Sequence, residues 1–177
     1  VTPVLPIIRD HTARNFKQET LAGNQIEYYN HMSARLLRDL LGYDIWNSYY
    51  KFSIEREPVD KTISYFSMLK NSPHHNKCYR DLTFEKYLNL GKLPVDTELY
   101  TDKFGQIIVD KLLRYENLKE EIQLVGDQCG FDMRLVSRAK SGFREDFEPT
   151  RAQKEQIYLA FAESNKITGY RLSLIHI

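Results

Sequence analysis

The sequence has few cysteines, little net charge and no long apolar run, and each shortage excludes a class of protein. Cys78 and Cys129 are the only cysteines, and they form neither a CxxC motif nor a metal-ligand spacing. We therefore predict two free thiols in a reducing compartment. The formal net charge is only +1, so bulk attraction to DNA, RNA or an anionic membrane is not expected. No apolar run approaches the roughly 20 residues that a membrane-spanning helix needs.

The two ends of the chain indicate a truncated gene product. The chain begins at Val1 inside an apolar segment, without an initiator methionine, so an N-terminal signal or anchor stays open. The last six residues, LSLIHI, are also the translation of the end sequence of a common sequencing-transposon adapter. We interpret residues 172–177 as adapter-derived and assign residues 1–171 to a single, incomplete domain.

Helix-like and strand-like segments alternate along the chain. Residues 49–55 alternate apolar with polar side chains and contain many β-formers, and residues 107–114 also read as a strand. Helical spacing of apolar residues, with plausible start and stop residues, predicts helices over 10–21, 26–41, 59–69, 82–90, 118–129 and 150–165. Strands separated by helices favour an α/β sandwich with a central parallel sheet.

The segment 49–65, YYKFSIEREPVDKTISY, carries the chemistry. Ligands of open α/β sheets bind beyond the carboxyl ends of the strands, and Arg56 follows the predicted strand directly. Its planar guanidinium matches a phosphate group bidentately. Ser64 falls within the first two turns of the next helix, where its hydroxyl can reach the same anion. Pro58 suits the first turn of that helix, because a missing N–H costs nothing there.

This segment resembles the R-[DEN]-P-x-x-R/K-x-x-S-x-[YF] motif of sulfotransferases that use 3′-phosphoadenosine-5′-phosphosulfate (PAPS). The resemblance implies a P-loop-like three-layer sandwich and places Arg56 and Ser64 on the 3′-phosphate of PAPS. Lys61 stands where the family more often has arginine, and it is a further candidate for cofactor binding. Without the resemblance, a surface arginine and a helix serine after a turn stay open, since short motifs match by chance.

Two flanking segments extend the resemblance. His11 opens an HTAR segment similar to one in carbohydrate sulfotransferases, where a histidine is proposed as the base for the acceptor hydroxyl; a helix-capping or solvent-facing histidine is the alternative. Residues 109–118, VDKLLRYENL, resemble the strand and helix start that follow in the family. We expect a scaffold role there, with Glu116 near a helix N-terminus.

A basic loop over 134–144 is similar to the loop that closes over the nucleotide in the family. Arg138, Lys140 and Arg144 can pair with phosphate oxygens, and a merely solvated loop is the alternative. The chain contains no G-x-x-x-x-G-K segment and no phosphosulfate loop with its lysine. The resemblance covers residues 10–170, and we expect the lysine-bearing loop upstream of Val1. As it stands, this fragment is expected to be inactive.

The sequence therefore predicts an enzyme that moves a sulfuryl group from PAPS to an acceptor hydroxyl. The resemblance favours a carbohydrate acceptor, with a lipid or a small alcohol left open, and it implies no metal and no nucleic-acid partner. It is compatible with the cytoplasm in a bacterium or the Golgi lumen in a eukaryote. Two rivals stay open: a non-catalytic nucleotide- or sugar-binding module with a degenerate site, and a P-loop kinase, which needs a phosphate-binding lysine and a Mg²⁺ carboxylate.

Overall fold

The computed structural model describes residues 15–19, 25–29, 31–73, 75, 77–136 and 141–172. The chain divides into two units, each with its own internal contacts. The first contains the residues up to Tyr49 together with Leu99–Ile108, and the second contains Tyr50–Glu98 together with the residues from Val109 onward. The prediction of one domain over 1–171 stays a prediction.

The first unit contains a β-hairpin that the sequence did not predict. Strand β1 (Asn15–Glu19) pairs antiparallel with β2 (Gln25–Tyr29). The predicted helices over 10–21 and 26–41 are therefore wrong at these positions, because pairing between the strands outweighs the helical spacing of the apolar residues. The second of these helices is confirmed only in its later part.

Two short helices follow the hairpin. Helix α1 (Ala34–Leu41) begins after Ser33, whose hydroxyl accepts a hydrogen bond of 3.3 Å from the Leu36 N–H. Gly42 ends it with a φ of 77°, and α2 (Tyr43–Ser48) follows directly. This unit also contains a turn at Asp102, whose carboxylate accepts hydrogen bonds from the Phe104 and Gln106 N–H groups.

The second unit is built on a pair of parallel strands. Strand β3 (Phe52–Glu55) pairs in parallel with β4 (Lys111–Arg114), from Phe52 opposite Lys111 to Glu55 opposite Arg114. The prediction of parallel strands is confirmed for this pair, although both strands are shorter than predicted. Because parallel strands end at the same edge, the residues after Glu55 and Arg114 come together.

Five α-helices belong to the part of the second unit that the structure describes. They are α3 (Pro58–Asn71), α4 (Phe84–Asn89), α5 (Leu118–Cys129), α6 (Arg151–Ala160) and α7 (Ala162–Thr168). Three helix ends have residues that suit them: Pro58, as predicted, is in the first turn of α3, Thr150 caps α6, and Gly130 closes α5 with a φ of 78°.

Two apolar clusters hold these elements in place. Aromatic and aliphatic side chains of α3, α4, α6 and the residue after α6 form the first cluster: Ile63, Phe66, Phe84, Tyr87, Leu88, Ile157 and Phe161. Leu113 of β4 packs with Ile122 and Val125 of α5 in the second. The result is a mixed α/β architecture whose α3 is fixed on its apolar side, which leaves its polar face for other contacts. None of the helices within the described ranges has the length and apolar content to cross a membrane.

Candidate functional site

Arg56 lies where the parallel strands end. It follows Glu55, the last residue of β3, while Tyr115 follows Arg114, the last residue of β4. The Arg56 guanidinium carbon is 4.2 Å from the centroid of the Tyr115 ring. Such a cation–π contact helps to fix the position of the guanidinium and leaves its N–H groups available for hydrogen bonds. The predicted position of Arg56 at the carboxyl end of a parallel strand is confirmed.

The turn after Arg56 is fixed by its own hydrogen bonds. The Glu57 carboxylate caps α3 by accepting from the Val59 N–H at 3.0 Å and the Asp60 N–H at 2.7 Å. The Glu57 N–H donates at 2.7 Å to the carboxylate of Glu116, which follows β4. Pro58 sets the first helical φ angle. The turn that carries Arg56 is thus joined to the segment after β4, in keeping with the scaffold role expected for Glu116.

Two tyrosine hydroxyls from the C-terminal part of the unit support the same turn. Tyr158 donates to Glu57 Oε1 at 2.8 Å, and Tyr170 donates to Glu116 Oε2 at 2.7 Å. Burial, and then the hydrogen bond to the carboxylate, raises the pKa of each hydroxyl well above its usual range. Both tyrosines therefore remain protonated donors near neutral pH.

Asp60 forms ion pairs with two arginines, Arg56 four residues before it and Arg144 from much later in the chain. The Arg56 Nε donates to Asp60 Oδ2, and an Arg144 terminal nitrogen lies 2.6 Å from Asp60 Oδ1. Within the described part of the chain, no protein hydrogen bond uses the two terminal nitrogens of Arg56. The two guanidinium groups and the Asp60 carboxylate sum to +1, and the open terminal nitrogens of Arg56 can donate to an anionic ligand. The Glu57 and Glu116 carboxylates of the adjoining turn already accept from N–H and hydroxyl groups.

Ser64 lies on the same face of α3 as this cluster. Positions 60, 64 and 67 follow the three- and four-residue spacing of one helix face. The segment carrying Arg144 runs along that face, because Arg144 pairs with Asp60 and the Glu145 N–H donates to Ser67 Oγ at 3.1 Å. Ser64 is half-buried, and its hydroxyl has no hydrogen-bond partner among the residues that the structure describes. The structure thus brings Arg56, Ser64 and Arg144 to one region, although no hydrogen bond links Arg56 to Ser64.

Lys61 is held by two carboxylates. Its ammonium group lies 3.0 Å from Glu55 Oε2 and 2.8 Å from Asp96 Oδ2. Glu55 is only 2% exposed, so its charge depends on this partner. Two carboxylates against one ammonium leave an excess negative charge there, which opposes anion binding by Lys61. We therefore interpret Lys61 as a structural residue, whereas the sequence motif predicts a cofactor contact.

Three predicted site residues, His11, Arg138 and Lys140, lie outside the described residues. In the other direction, the structure adds Asp60 and Tyr115, which the sequence motif did not single out. The signal for Asp60 was its position four residues after Arg56. Tyr115 had no signal of its own, because its contact with Arg56 depends on the pairing of β3 with β4.

Comparison with known proteins assigns no family. No protein-family model matches the chain, and no solved structure matches it. An uncharacterized protein of Archaeoglobus fulgidus is 26% identical over 121 residues, which covers 64% of this chain and 98% of that protein. The function must therefore be argued from the site itself.

Proposed function

We propose that this chain is part of a PAPS-dependent sulfotransferase and that Arg56 binds the 3′-phosphate of PAPS. The observation that carries the proposal is at the carboxyl end of β3. The two terminal nitrogens of Arg56 are open to a ligand there, and Arg144 pairs with the same Asp60 carboxylate as Arg56. A guanidinium fork matches the geometry of a phosphate, and a second arginine adds charge for a dianion. Ser64, one helical turn beyond Asp60, donates a hydroxyl hydrogen bond to the same phosphate.

In this proposal β3 and β4 are two strands of the central sheet of a P-loop-like three-layer sandwich. The reaction forms a bond between the acceptor oxygen and sulfur and breaks the bond between sulfur and the phosphosulfate bridging oxygen. The products are a sulfated acceptor and 3′-phosphoadenosine-5′-phosphate (PAP), and the acceptor proton passes to a base, for which His11 is the candidate. The described residues act by binding and orienting the nucleotide, in the way that phosphoryl-transfer enzymes hold theirs.

Calorimetric titration with PAP tests the proposal on the polypeptide encoded by the whole gene. Arg56→Ala should lower the affinity at least tenfold, because hydrogen bonds to charged groups contribute about 1.5–3 kcal/mol each. Arg151→Ala is the matched control, since Arg151 is 78% exposed and pairs only with Glu155 within the described chain. Unchanged binding in Arg56→Ala, or no binding by the unaltered protein, would defeat the assignment.

The second candidate is a nucleotide-binding module without catalysis. It rests on the same cluster of Arg56, Asp60 and Arg144, which supplies cations for a phosphate group but no base for an acceptor hydroxyl. Such a module would bind PAP through Arg56 and fail to consume PAPS. A sulfation assay with radiolabelled PAPS and mixed carbohydrate acceptors separates the two candidates, since only the transferase labels an acceptor.

A further inference from the structure

We propose that Asp60 is a positioning residue that joins Arg56 and Arg144 into one clamp for a phosphomonoester dianion. The inference rests on the proposed function for the identity of the ligand, but not for the contacts themselves. Asp60 is not part of the predicted ligand set. We infer its role from the guanidinium nitrogens of Arg56 and Arg144 that Asp60 contacts and from those that remain open to a ligand.

Asp60 takes one donor from each arginine. It accepts from the side-facing Nε of Arg56 and from one terminal nitrogen of Arg144. An arginine has five N–H donors, and the two terminal nitrogens at the end of the guanidinium can hold a phosphate together. Because Asp60 leaves that end of Arg56 open, the carboxylate orients the guanidinium instead of competing with a ligand for it.

Tyr115 limits the remaining freedom of Arg56. The guanidinium carbon lies over the tyrosine ring, 4.2 Å from its centroid, while Asp60 accepts a hydrogen bond from Nε. A guanidinium held by these two contacts has fewer accessible orientations before any ligand arrives. Preorganisation of this kind increases affinity, because less side-chain entropy is lost on binding.

The orientation of the Arg144 side chain depends on Asp60 more strongly than the orientation of Arg56 does. Its side chain is 45% exposed, against 19% for Arg56, and Asp60 is its ion-pair partner in the described structure. The neighbouring Glu145 is tied to α3 twice, through Ser67 and through Lys70 at 2.8 Å. The backbone beside Arg144 is therefore anchored, and Asp60 sets where its side chain points.

The position of Asp60 suits this role electrostatically. It lies in the first turn of α3, where a carboxylate is stabilised by the positive end of the helix dipole. Asp60 lies between two cations, and the three formal charges of this cluster sum to +1. Asp60→Asn removes the charge with little change in volume and leaves the oxygen that can still accept one hydrogen bond.

The test combines binding and proteolysis on the whole-gene polypeptide. Asp60→Asn and Arg144→Ala should each weaken PAP binding about tenfold, while the double variant should lose much less than the product of the two, since both remove one coupled contact. Asp60→Asn should also speed tryptic cleavage after Arg144, measured by mass spectrometry of the peptides. Asp146→Asn is the control, because Asp146 is exposed and has no ion pair with another described residue.

The outcomes separate the two proposals. Faster cleavage after Arg144 with weaker, non-additive PAP binding supports the role of Asp60. Unchanged or tighter PAP binding in Asp60→Asn, or fully additive losses, overturns it even though Arg56 remains a ligand. If the unaltered protein binds no PAP, the proposed function fails and the dianion clamp with it; cleavage after Arg144 then reports only whether Asp60 anchors that arginine. Thermal unfolding of each variant identifies any loss caused by misfolding.

Discussion

The Lys61 ammonium lies 3.0 Å from Glu55 Oε2, in a pair whose side chains are 13% and 3% exposed. Lys61→Met leaves the Glu55 charge buried without its partner. Removing one member of a buried ion pair costs about 3–5 kcal/mol, so we expect a fall of about 3 kcal/mol in the free energy of unfolding, measured with urea. Lys166→Met should change it by less than about 0.5 kcal/mol, because its pair with Glu163 is exposed.

The second variant at this pair distinguishes charge from packing. Adding Glu55→Gln to Lys61→Met removes the unpaired charge and should recover a large part of the lost stability. If the double variant is no more stable than Lys61→Met, packing by the lysine side chain accounts for the loss. PAP affinity should stay near that of the unaltered protein in folded Lys61 variants, in contrast to the Arg56 variants.

Ser64 and Ser67 give opposite expectations, although they lie one helical turn apart. Ser64→Ala should lower PAP affinity about tenfold with little change in stability, because its hydroxyl has no protein partner among the described residues. Ser67→Ala removes the acceptor of the Glu145 N–H at a fully buried position. It should lower the free energy of unfolding by about 1 kcal/mol. Equal effects of the two variants on affinity would contradict the placement of the ligand beside Ser64.

Tyr170 makes stability sensitive to alkaline pH. Burial and the hydrogen bond to Glu116 raise the pKa of Tyr170 in the folded chain, whereas a tyrosine in the unfolded chain has a pKa of about 10. The unfolded chain therefore loses its proton first, and the stabilisation is complete below that pH and declines as pH rises above it. Tyr170→Phe should flatten the decline in urea midpoints above about pH 10 relative to the unaltered chain. An equally steep decline in the variant would show that other groups, such as Tyr158, dominate.

Gly126 has no room for a side chain. A Cβ there would lie 2.5 Å from the Phe131 carbonyl oxygen and 2.9 Å from the Met133 nitrogen, both backbone atoms. Gly126→Ala should therefore lower the free energy of unfolding by about 1–3 kcal/mol. Gly142→Ala is the matched control, since its Cβ meets nothing within 4 Å. The control should leave the free energy of unfolding unchanged or raise it slightly. A similar loss in both variants would contradict a steric clash at position 126 as the cause.

The sequence predicted the elements whose signals are local. Pro58, Gly130 and Thr150 mark helix boundaries through their own backbone chemistry, and the structure has them at those boundaries. The hairpin of β1 and β2 was missed because Ile26 and Tyr29 also fit a helical spacing, and the strand pairing that decides between the two is not local. Gly23 and Asn24, which stand between the two segments in the sequence, are residue types that hairpin turns favour.

The candidate site was predictable in part for the same reason. Arg56 and Ser64 stand in one short motif, so their placement after β3 and on α3 follows from local pattern. The second arginine on Asp60 could not be read in that way, because Arg144 lies 84 positions after Asp60 in the chain. Lys61 shows the limit most clearly: its spacing indicates a ligand contact, while tertiary structure surrounds it with two carboxylates.

The parallel register of β3 and β4 has a consequence for how the chain folds. Glu55 pairs opposite Arg114, so a loop of more than fifty residues must close before the first ladder bond forms. Closure of that loop loses chain entropy before any contact compensates for it, and topologies rich in such contacts fold slowly. Helices α3 and α5 are local and can form early. The edge that carries Arg56 and Tyr115 is therefore completed late in folding, when the two strands meet.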